Sequence, residues 1–304
     1  MGKHAGKVSD LAYQNSLMVQ IWSALAAKDT RLFCAAMNRF PAKPPTTVWG
    51  TYLRCHDDIG WAIDDGDAAS VGLTGFEHRR FLAEYYAGLY PMSDARGLVF
   101  QENLLTGDRR ISGTAASLAG IEAALNSGDD LHLDLAVRRY LLAYSLVLGF
   151  GGLPLIYMGD ELGLLNYYDF VEDPDHADDN RWVHRPPMPW DWVDRRHIEG
   201  TVEYRIWHGL RHIITVRSSL PSLDASLESE ILDPVNPAVL VFLRRFPTQT
   251  MVGVYNMTTE SQKLPRWVIP LGNWAWDALT DETPLTDGQL TLDGYQVRWF
   301  VQQT

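Results

Sequence analysis

One stretch of the sequence decides the fold, Val48-Trp-Gly-Thr-Tyr-Leu-Arg-Cys-His-Asp-Asp58. Its first part, Val48–Leu53, is rich in β-branched and aromatic residues and follows two prolines, which predicts a short strand. The strand leads directly into His56, Asp57 and Asp58. In a (β/α)8 barrel, catalytic side chains lie at the carboxyl ends of the strands. The pattern therefore predicts a barrel enzyme whose site includes this polar triad.

The same residues allow a simpler reading, in which Asp58 caps the N-terminus of a helix and Asp57 is solvated. A polar triad directly after an apolar strand, with Trp61 close behind it, favours the functional reading.

The acidic and histidine-bearing segments raise the question of a metal site in two places. Cys55-His56-Asp57 could belong to a site like that of the His-Asp metal phosphohydrolases, but the other histidines lack the spacing which that class needs. A calcium loop starting at Asp173 would need glycine at position six and glutamate at position twelve, where the chain has Asp178 and His184. The sequence therefore predicts no metal and no cofactor.

Composition limits the classes of partner. The 304 residues carry 26 basic and 38 acidic side chains, for a net charge of -12. Without a basic stripe, this balance argues against nucleic acid and against an anionic membrane surface. The eleven tryptophans are a high count, and an indole ring can stack on the apolar C–H face of a sugar.

Three features bear on where the protein is located in the cell: the N-terminal residues, the cysteines and one apolar run. Residues 1–7 lack an apolar core, so no signal peptide is predicted. The two cysteines, Cys34 and Cys55, need no disulfide, and we expect a cytoplasmic protein. The uncharged run Tyr140–Met158 contains three glycines and a proline, so it predicts a buried helix end followed by a strand and no membrane span.

Periodicity gives the order of elements. Ser9–Phe40 is predicted to be helical, with a break at Lys28–Thr30 before a second helix, Arg31–Asn38, and it precedes the strand Val48–Leu53. A long insertion then leads to the helix Leu131–Gly149 and a second strand, Leu153–Tyr157. A strand, crossover helix and strand in this order predict a parallel sheet. After the helix Glu203–Ser218, short strand-like segments separated by turn signals predict antiparallel strands: Ala238–Leu243, Thr250–Asn256, Gln289–Leu292 and Gln296–Val301.

Four blocks in this order resemble amylosucrases, which are sucrose-using members of the α-amylase superfamily, glycoside hydrolase family 13. The blocks are His56–Trp61, Thr106–Ala115, Gly152–Glu161 and Asp178–Pro186. The resemblance covers nearly the whole chain. It implies an α/β fold: the C-terminal portion of a TIM (β/α)8 barrel over residues 1–218, with an insertion after the seventh strand at 59–130. A C-terminal antiparallel β-sandwich domain over 219–304 completes this prediction.

The resemblance also implies site residues. Asp57 matches the transition-state stabiliser, and His56 its neighbour in the glucosyl subsite. Arg181 matches an arginine that closes the pocket through a salt bridge to an aspartate early in the barrel, which this chain lacks. Residues of the fructosyl or acceptor subsites are matched by Asp58, Gly60, Arg79 and Arg110.

A retaining enzyme of this family also needs a nucleophilic aspartate in Gly-x-Arg-x-Asp and a glutamate as general acid/base. Only Ser222-Leu223-Asp224-Ala225 imitates the end of that motif, and it lacks the arginine. We therefore expect the chain to correspond to the last two barrel strands and the β domain of such an enzyme. It should be inactive without the N-terminal part, its expected partner beside sucrose and an α-glucan acceptor.

The function implied is glucosyl transfer from sucrose to α-1,4-glucan with release of fructose. Alternatives are a sucrose hydrolase, another glycosidase of the superfamily, or a non-catalytic sugar-binding or structural remnant.

Overall fold

A computed structural model describes residues 9–282 and 288–303. The chain divides into two compact units, one formed by Met1–Tyr52, Leu142–Leu155 and Arg211–Thr304, the other by Leu53–Leu141 and Ile156–Leu210. The first unit contains residues from both sides of the predicted domain boundary at residue 218. The division into domains 1–218 and 219–304 stays a prediction. Two long helices, α7 (Asp130–Phe150) and α8 (Val202–Ser219), contribute residues to both units.

The first unit contains a parallel sheet of three strands in the order β1-β2-β5. These are β1 (Leu11–Tyr13), β2 (Val48–Tyr52) and β5 (Leu153–Leu155). Pro154 has no amide hydrogen to donate, which suits the edge position of β5. The parallel pairing and the helix that joins β2 to β5 confirm the predicted crossover.

The strand β1 corrects the prediction that Ser9–Phe40 is helical. The helices in this region are α1 (Asn15–Ala27) and α2 (Arg31–Arg39). Backbone bonds to β2 hold the preceding residues extended, with Gln14 N donating to Gly50 O at 2.9 Å. Long-range pairing therefore overrides the local helical pattern, and the sheet has three parallel strands where two were expected.

The remaining strands of this unit are antiparallel, as predicted. Five strands pair in the order β10-β12-β8-β7-β6, and β9 pairs with β11. Alternate residues of β7 and β8 form the core, including Val239, Val241, Val252 and Val254. The strands are β6 (Glu230–Ile231), β7 (Val239–Phe246), β8 (Gln249–Asn256), β9 (Gln262–Pro265), β10 (Trp276–Asp277), β11 (Gln289–Leu292) and β12 (Val297–Gln303).

The second unit consists of short helices, one hairpin and long loops with 3-10 turns. Its hairpin pairs β3 (Leu98–Glu102) with β4 (Arg109–Ser112). The helices are α3 (Asp65–Ser70), α4 (Gly75–Tyr86), α5 (Ala115–Leu118) and α6 (Ile121–Ser127). The 3-10 segments are Asp160–Leu162, Tyr168–Glu172, Asn180–His184 and Trp190–His197.

Among the described residues, no helix is both long enough and apolar enough to span a membrane. The apolar run 140–158 is divided as predicted, because α7 ends at Phe150 and Gly151 and Gly152 adopt positive φ angles of 132° and 78° before β5 begins.

Candidate active site

The segment after β2 is fixed in the second unit by a backbone bridge to the hairpin. Ile59 and Ile111 exchange two hydrogen bonds, at 2.8 and 3.0 Å. The alternative in which Asp58 caps a helix is wrong, since the next helix is α3 and its cap is Asp64, which accepts a bond from Asp67 N at 2.9 Å.

The carboxylate of Asp57 is held by Arg181, whose Nη1 lies 3.2 Å from Asp57 Oδ1. His56 Nε2 lies 3.7 Å from the other oxygen, Oδ2. The Asp57 side chain is 52% exposed, so the carboxylate is oriented but accessible. Such a group can stabilise positive charge that develops on a bound ligand.

Arg181 is itself oriented by Asp179. Its Nε donates a hydrogen bond to Asp179 Oδ1 at 2.9 Å, and its Nη2 donates one to Oδ2 at 2.7 Å. The guanidinium also lies over the ring of Phe100, 4.7 Å from its centroid. Hydrogen bonds from Arg181 lower the pKa of the Asp179 carboxyl to about 2. The predicted pocket-closing role of Arg181 stays a prediction, and the partners seen among the described residues are Asp57 and Asp179.

Asp58 points to the cation of Arg110, with Nη1 and Oδ2 separated by 3.5 Å. The Asp58 side chain is 7% exposed, whereas that of Arg110 is 55% exposed. Arg110 therefore has one end of its guanidinium anchored and the rest available to a ligand.

Arg79 connects two segments of the insertion through hydrogen bonds and ion pairs. It donates to Ile63 O at 2.9 Å and pairs with Asp65 at 2.9 Å and Asp108 at 3.2 Å. These bonds leave it 20% exposed. Next to Gly60 there is open space, because a Cβ added there would lie 4.0 Å from the nearest atom beyond its chain neighbours, Arg110 Nε.

Gly60, Arg79 and Arg110 line one cleft of about 700 Å³ in the second unit. Its wall combines the indole of Trp61 with polar and charged side chains. Besides the predicted residues, the lining consists of Trp61, Ala62, Gln101, Glu102, Asn103, Asp108 and Arg109. A cleft lined mainly by polar and charged side chains suits a sugar, which offers hydroxyls.

The structure thus places the predicted residues in two linked groups. His56 and Asp57 lie with Arg181, and the cleft group is joined to them through the contact of Asp58 with Arg110. Within the described residues, no group of three or more His, Cys, Asp or Glu side chains could hold a metal ion.

Sequence reasoning missed the residues that support this segment. Arg54 and Asp160 form a buried ion pair at 3.5 Å, and His184 and Arg185 bind the carbonyl of His56. Asp160 follows a strand, and all three of Asp160, His184 and Arg185 lie in the blocks that carry the family resemblance, but the sequence assigned them no role. Only the folded loop brings His184 and Arg185 to His56.

Comparison with models of known protein families finds no match. The chain is 23% identical over 291 residues to the glucosylglycerate phosphorylase of Escherichia coli K12, covering 95% of this chain and 48% of that protein. The chain therefore spans about half the length of this curated relative.

Solved structures show the same fold. A variant of AmyP in complex with maltotriose has a TM-score of 0.60 at 14% identity, over 96% of this chain and 50% of its own. The α-amylase of Geobacillus thermoleovorans has a TM-score of 0.53 at 17% identity, over 97% and 49%. Sucrose 6F-phosphate phosphorylase from Thermoanaerobacter thermosaccharolyticum has a TM-score of 0.55 at 16% identity, over 84% and 45%.

These likenesses show that the chain shares the fold of about half of each of these solved structures. They do not single out an amylosucrase.

Proposed function

We propose that this chain supplies the transition-state-stabilising part of an α-glucoside active site, of the amylosucrase type. The substrate would be sucrose, the products an α-1,4-glucan and fructose. The observation that carries the proposal is Asp57, an accessible carboxylate whose orientation is fixed by Arg181 at 3.2 Å. Glycosyl transfer passes through a state in which the sugar ring gains positive charge. A carboxylate fixed beside that ring lowers the transition state more than the ground state.

The cleft beside Asp58 supports an acceptor site. A sugar acceptor would meet Arg110, whose side chain is 55% exposed, and the open space at Gly60. Trp61 is 6% exposed and stacks on Tyr86, so it forms a firm wall and not a mobile one. In this proposal Arg79 shapes the cleft through its bonds to Asp65 and Asp108.

A retaining reaction also needs a nucleophile and an acid/base. Besides Asp57, the carboxylates that follow β2 and β5 are Asp58, which is paired with Arg110, Asp160, which is buried against Arg54, and Glu161, which accepts a hydrogen bond from the Gly159 amide at 2.8 Å. Each of these three is engaged within the protein in this structure. We therefore assign the nucleophile and the acid/base to residues outside this sequence, which also lacks the Gly-x-Arg-x-Asp motif.

A second candidate is phosphorolysis, because the curated relative is a phosphorylase. Phosphate would then take the place of the sugar acceptor, and the product would be a glucose phosphate. The same stabilising role of Asp57 serves both reactions.

The test compares the purified chain with a polypeptide in which a segment carrying Gly-x-Arg-x-Asp and the acid/base glutamate precedes it. Each is incubated with sucrose, with and without phosphate, and fructose, glucan and glucose phosphate are measured. We expect no turnover by the chain alone, and fructose and glucan without phosphate from the joined polypeptide.

A strict need for phosphate would favour the second candidate. Turnover by the chain alone would contradict the proposal that the nucleophile and the acid/base lie outside this sequence. A folded joined polypeptide that binds sugar without turnover would support a non-catalytic sugar-binding protein and overturn the proposal.

A further inference from the structure

The carbonyl oxygen of His56, which belongs to the peptide group shared with Asp57, accepts hydrogen bonds from two side chains of one loop. Arg185 approaches it with Nε at 2.9 Å and Nη2 at 2.7 Å. His184 Nε2 lies 3.1 Å from the same oxygen. A carbonyl oxygen offers two lone pairs, so these donors saturate it. The peptide group before Asp57 is therefore fixed from outside its own loop.

The second ring nitrogen of His184 decides the protonation state. The amide of Gly113 donates to His184 Nδ1 at 3.1 Å. A ring that accepts at Nδ1 and donates from Nε2 is the neutral Nε2–H tautomer. His184 is 1% exposed, and its own carbonyl accepts a bond from Arg54 Nη2 at 3.0 Å. The imidazole thus joins the His56 segment to the end of the hairpin.

Burial, together with the cations Arg54, Arg185 and Arg181, lowers the pKa of His184 to about 3. A protonated ring would also place an N–H opposite the amide of Gly113, where an acceptor is needed. The neutral form is therefore retained through the physiological range.

We propose that His184 is a positioning residue: as a neutral Nε2–H imidazole it sets the orientation of Asp57 by fixing the His56–Asp57 peptide group. This inference rests on the proposed function, in which Asp57 meets the sugar. Arginine or lysine could not replace His184, because each donates and neither accepts. Glutamine could, since its amide carries an acceptor and a donor on neighbouring atoms.

The first experiment uses the 304-residue chain and needs no activity. Long-range ¹H–¹⁵N correlation spectra of the histidine rings are recorded between pH 5 and pH 8. We expect His184 in the Nε2–H form throughout. An Nδ1–H tautomer, or titration near the ordinary value of about 6.5, would overturn the proposal.

The second experiment measures hydrogen exchange in peptides that cover residues 54–61 and 109–114. His184→Phe removes both ring bonds, and His184→Gln restores them. The control is His78→Phe, which replaces another buried histidine of the same unit, on α4. We expect about tenfold faster exchange in both peptides for His184→Phe, the free energy of roughly one hydrogen bond, and near-original rates for His184→Gln.

The third experiment repeats the variants in the joined polypeptide. His184→Phe should lower kcat by roughly ten- to a hundredfold with KM little changed, since misplacing a catalytic group costs that much. His184→Gln should recover most of the loss. If His184→Phe speeds exchange but neither the original joined polypeptide nor any variant turns over substrate, the positioning role of His184 stands and the proposed function is contradicted. Turnover that is unchanged in His184→Phe would contradict the positioning. If His184→Phe does not fold, the proposal is tested by the activity of His184→Gln and by the tautomer of His184. An Nδ1–H tautomer would overturn it.

Discussion

Arg54 and Asp160 form an ion pair that is shielded from solvent: Arg54 Nη1 lies 3.5 Å from Asp160 Oδ1, and each side chain is 2% exposed. The two residues follow β2 and β5 in the chain. Arg54 also lies 4.3 Å above the ring of Tyr157 and donates to the carbonyl of His184 at 3.0 Å. The pair therefore supports the backbone around the candidate site without reaching a ligand.

Removing Asp160 leaves the Arg54 charge buried and unpaired. We expect Asp160→Ala to lower the free energy of unfolding by about 3–5 kcal/mol. The control is Arg109→Ala, which breaks the exposed pair with Glu102 at 3.0 Å and should cost under about 1 kcal/mol. Urea unfolding followed by tryptophan fluorescence measures both. Equal losses in the two variants would contradict a structural role for the buried pair.

Much of the fold was predictable because its elements carry strong local patterns. The antiparallel strands are short runs rich in β-branched and apolar residues with turn signals between them, and α7 and α8 are long runs of helix-forming residues. β1 was not predictable in this way: Leu11–Tyr13 is extended only because it pairs with Val48–Gly50. The site divides similarly, since His56 and Asp57 follow a strand signal and His184 acts through contacts that only tertiary structure creates.

The carboxyl of Asp179 gives a pH prediction. Its pKa in the folded chain is lowered to about 2, against an ordinary value of about 3.9. A depressed folded-state pKa contributes stability that is full above the unfolded pKa and is lost as the pH falls toward the folded one. The free energy of unfolding of the wild type should therefore exceed that of Asp179→Asn at pH 7. The difference should shrink below about pH 4, as urea titrations at each pH would record. A difference that grew on acidification would contradict the assignment.

A substitution at Gly60 can test ligand binding with little effect on folding. Because a Cβ there meets open space, Gly60→Ala should change the free energy of unfolding by less than about 0.5 kcal/mol. In the joined polypeptide it should raise the KM for a maltooligosaccharide acceptor, if the acceptor lies in the cleft. Gly97→Ala is the matched control for folding: its Cβ would lie 2.6 Å from Tyr86 O, so it should cost about 1–3 kcal/mol. An unchanged acceptor KM in Gly60→Ala would place the acceptor elsewhere.

The parallel sheet presents exposed apolar side chains on one face. Tyr13, Leu153 and Leu155 are 58%, 46% and 38% exposed, and Tyr13 and Leu153 flank Gly50 in register. In the described residues, the outer sides of β1 and β5 pair with no further strand. Open edges of this kind associate. We expect the chain alone to form oligomers in light scattering.

Leu153→Lys with Leu155→Lys should shift that distribution toward monomer, because charges on an edge strand oppose pairing. The double control Leu104→Lys with Leu105→Lys changes two leucines that are 89% and 98% exposed on the hairpin loop, and it should leave the distribution unchanged. A monodisperse wild-type chain would contradict the prediction.

Asp57→Asn tests the residue on which the proposed function depends. The substitution keeps the size of the side chain but removes the charge that would stabilise the positive sugar ring. In the joined polypeptide we expect kcat to fall by roughly 10² or more, the scale on which one electrostatic stabiliser acts. Arg181→Ala should raise KM, since its proposed role is to retain the substrate, and it should also lower kcat, because its hydrogen bond orients the Asp57 carboxylate. Asp175→Asn, at an exposed position of the acidic loop, is the control for removing one negative charge. Thermal melts should be nearly unchanged for Asp57→Asn, because its side chain is 52% exposed. If kcat stays near the wild-type value while the variant melts normally, Asp57 does not stabilise the transition state, and a sugar-binding role for this segment becomes the better account.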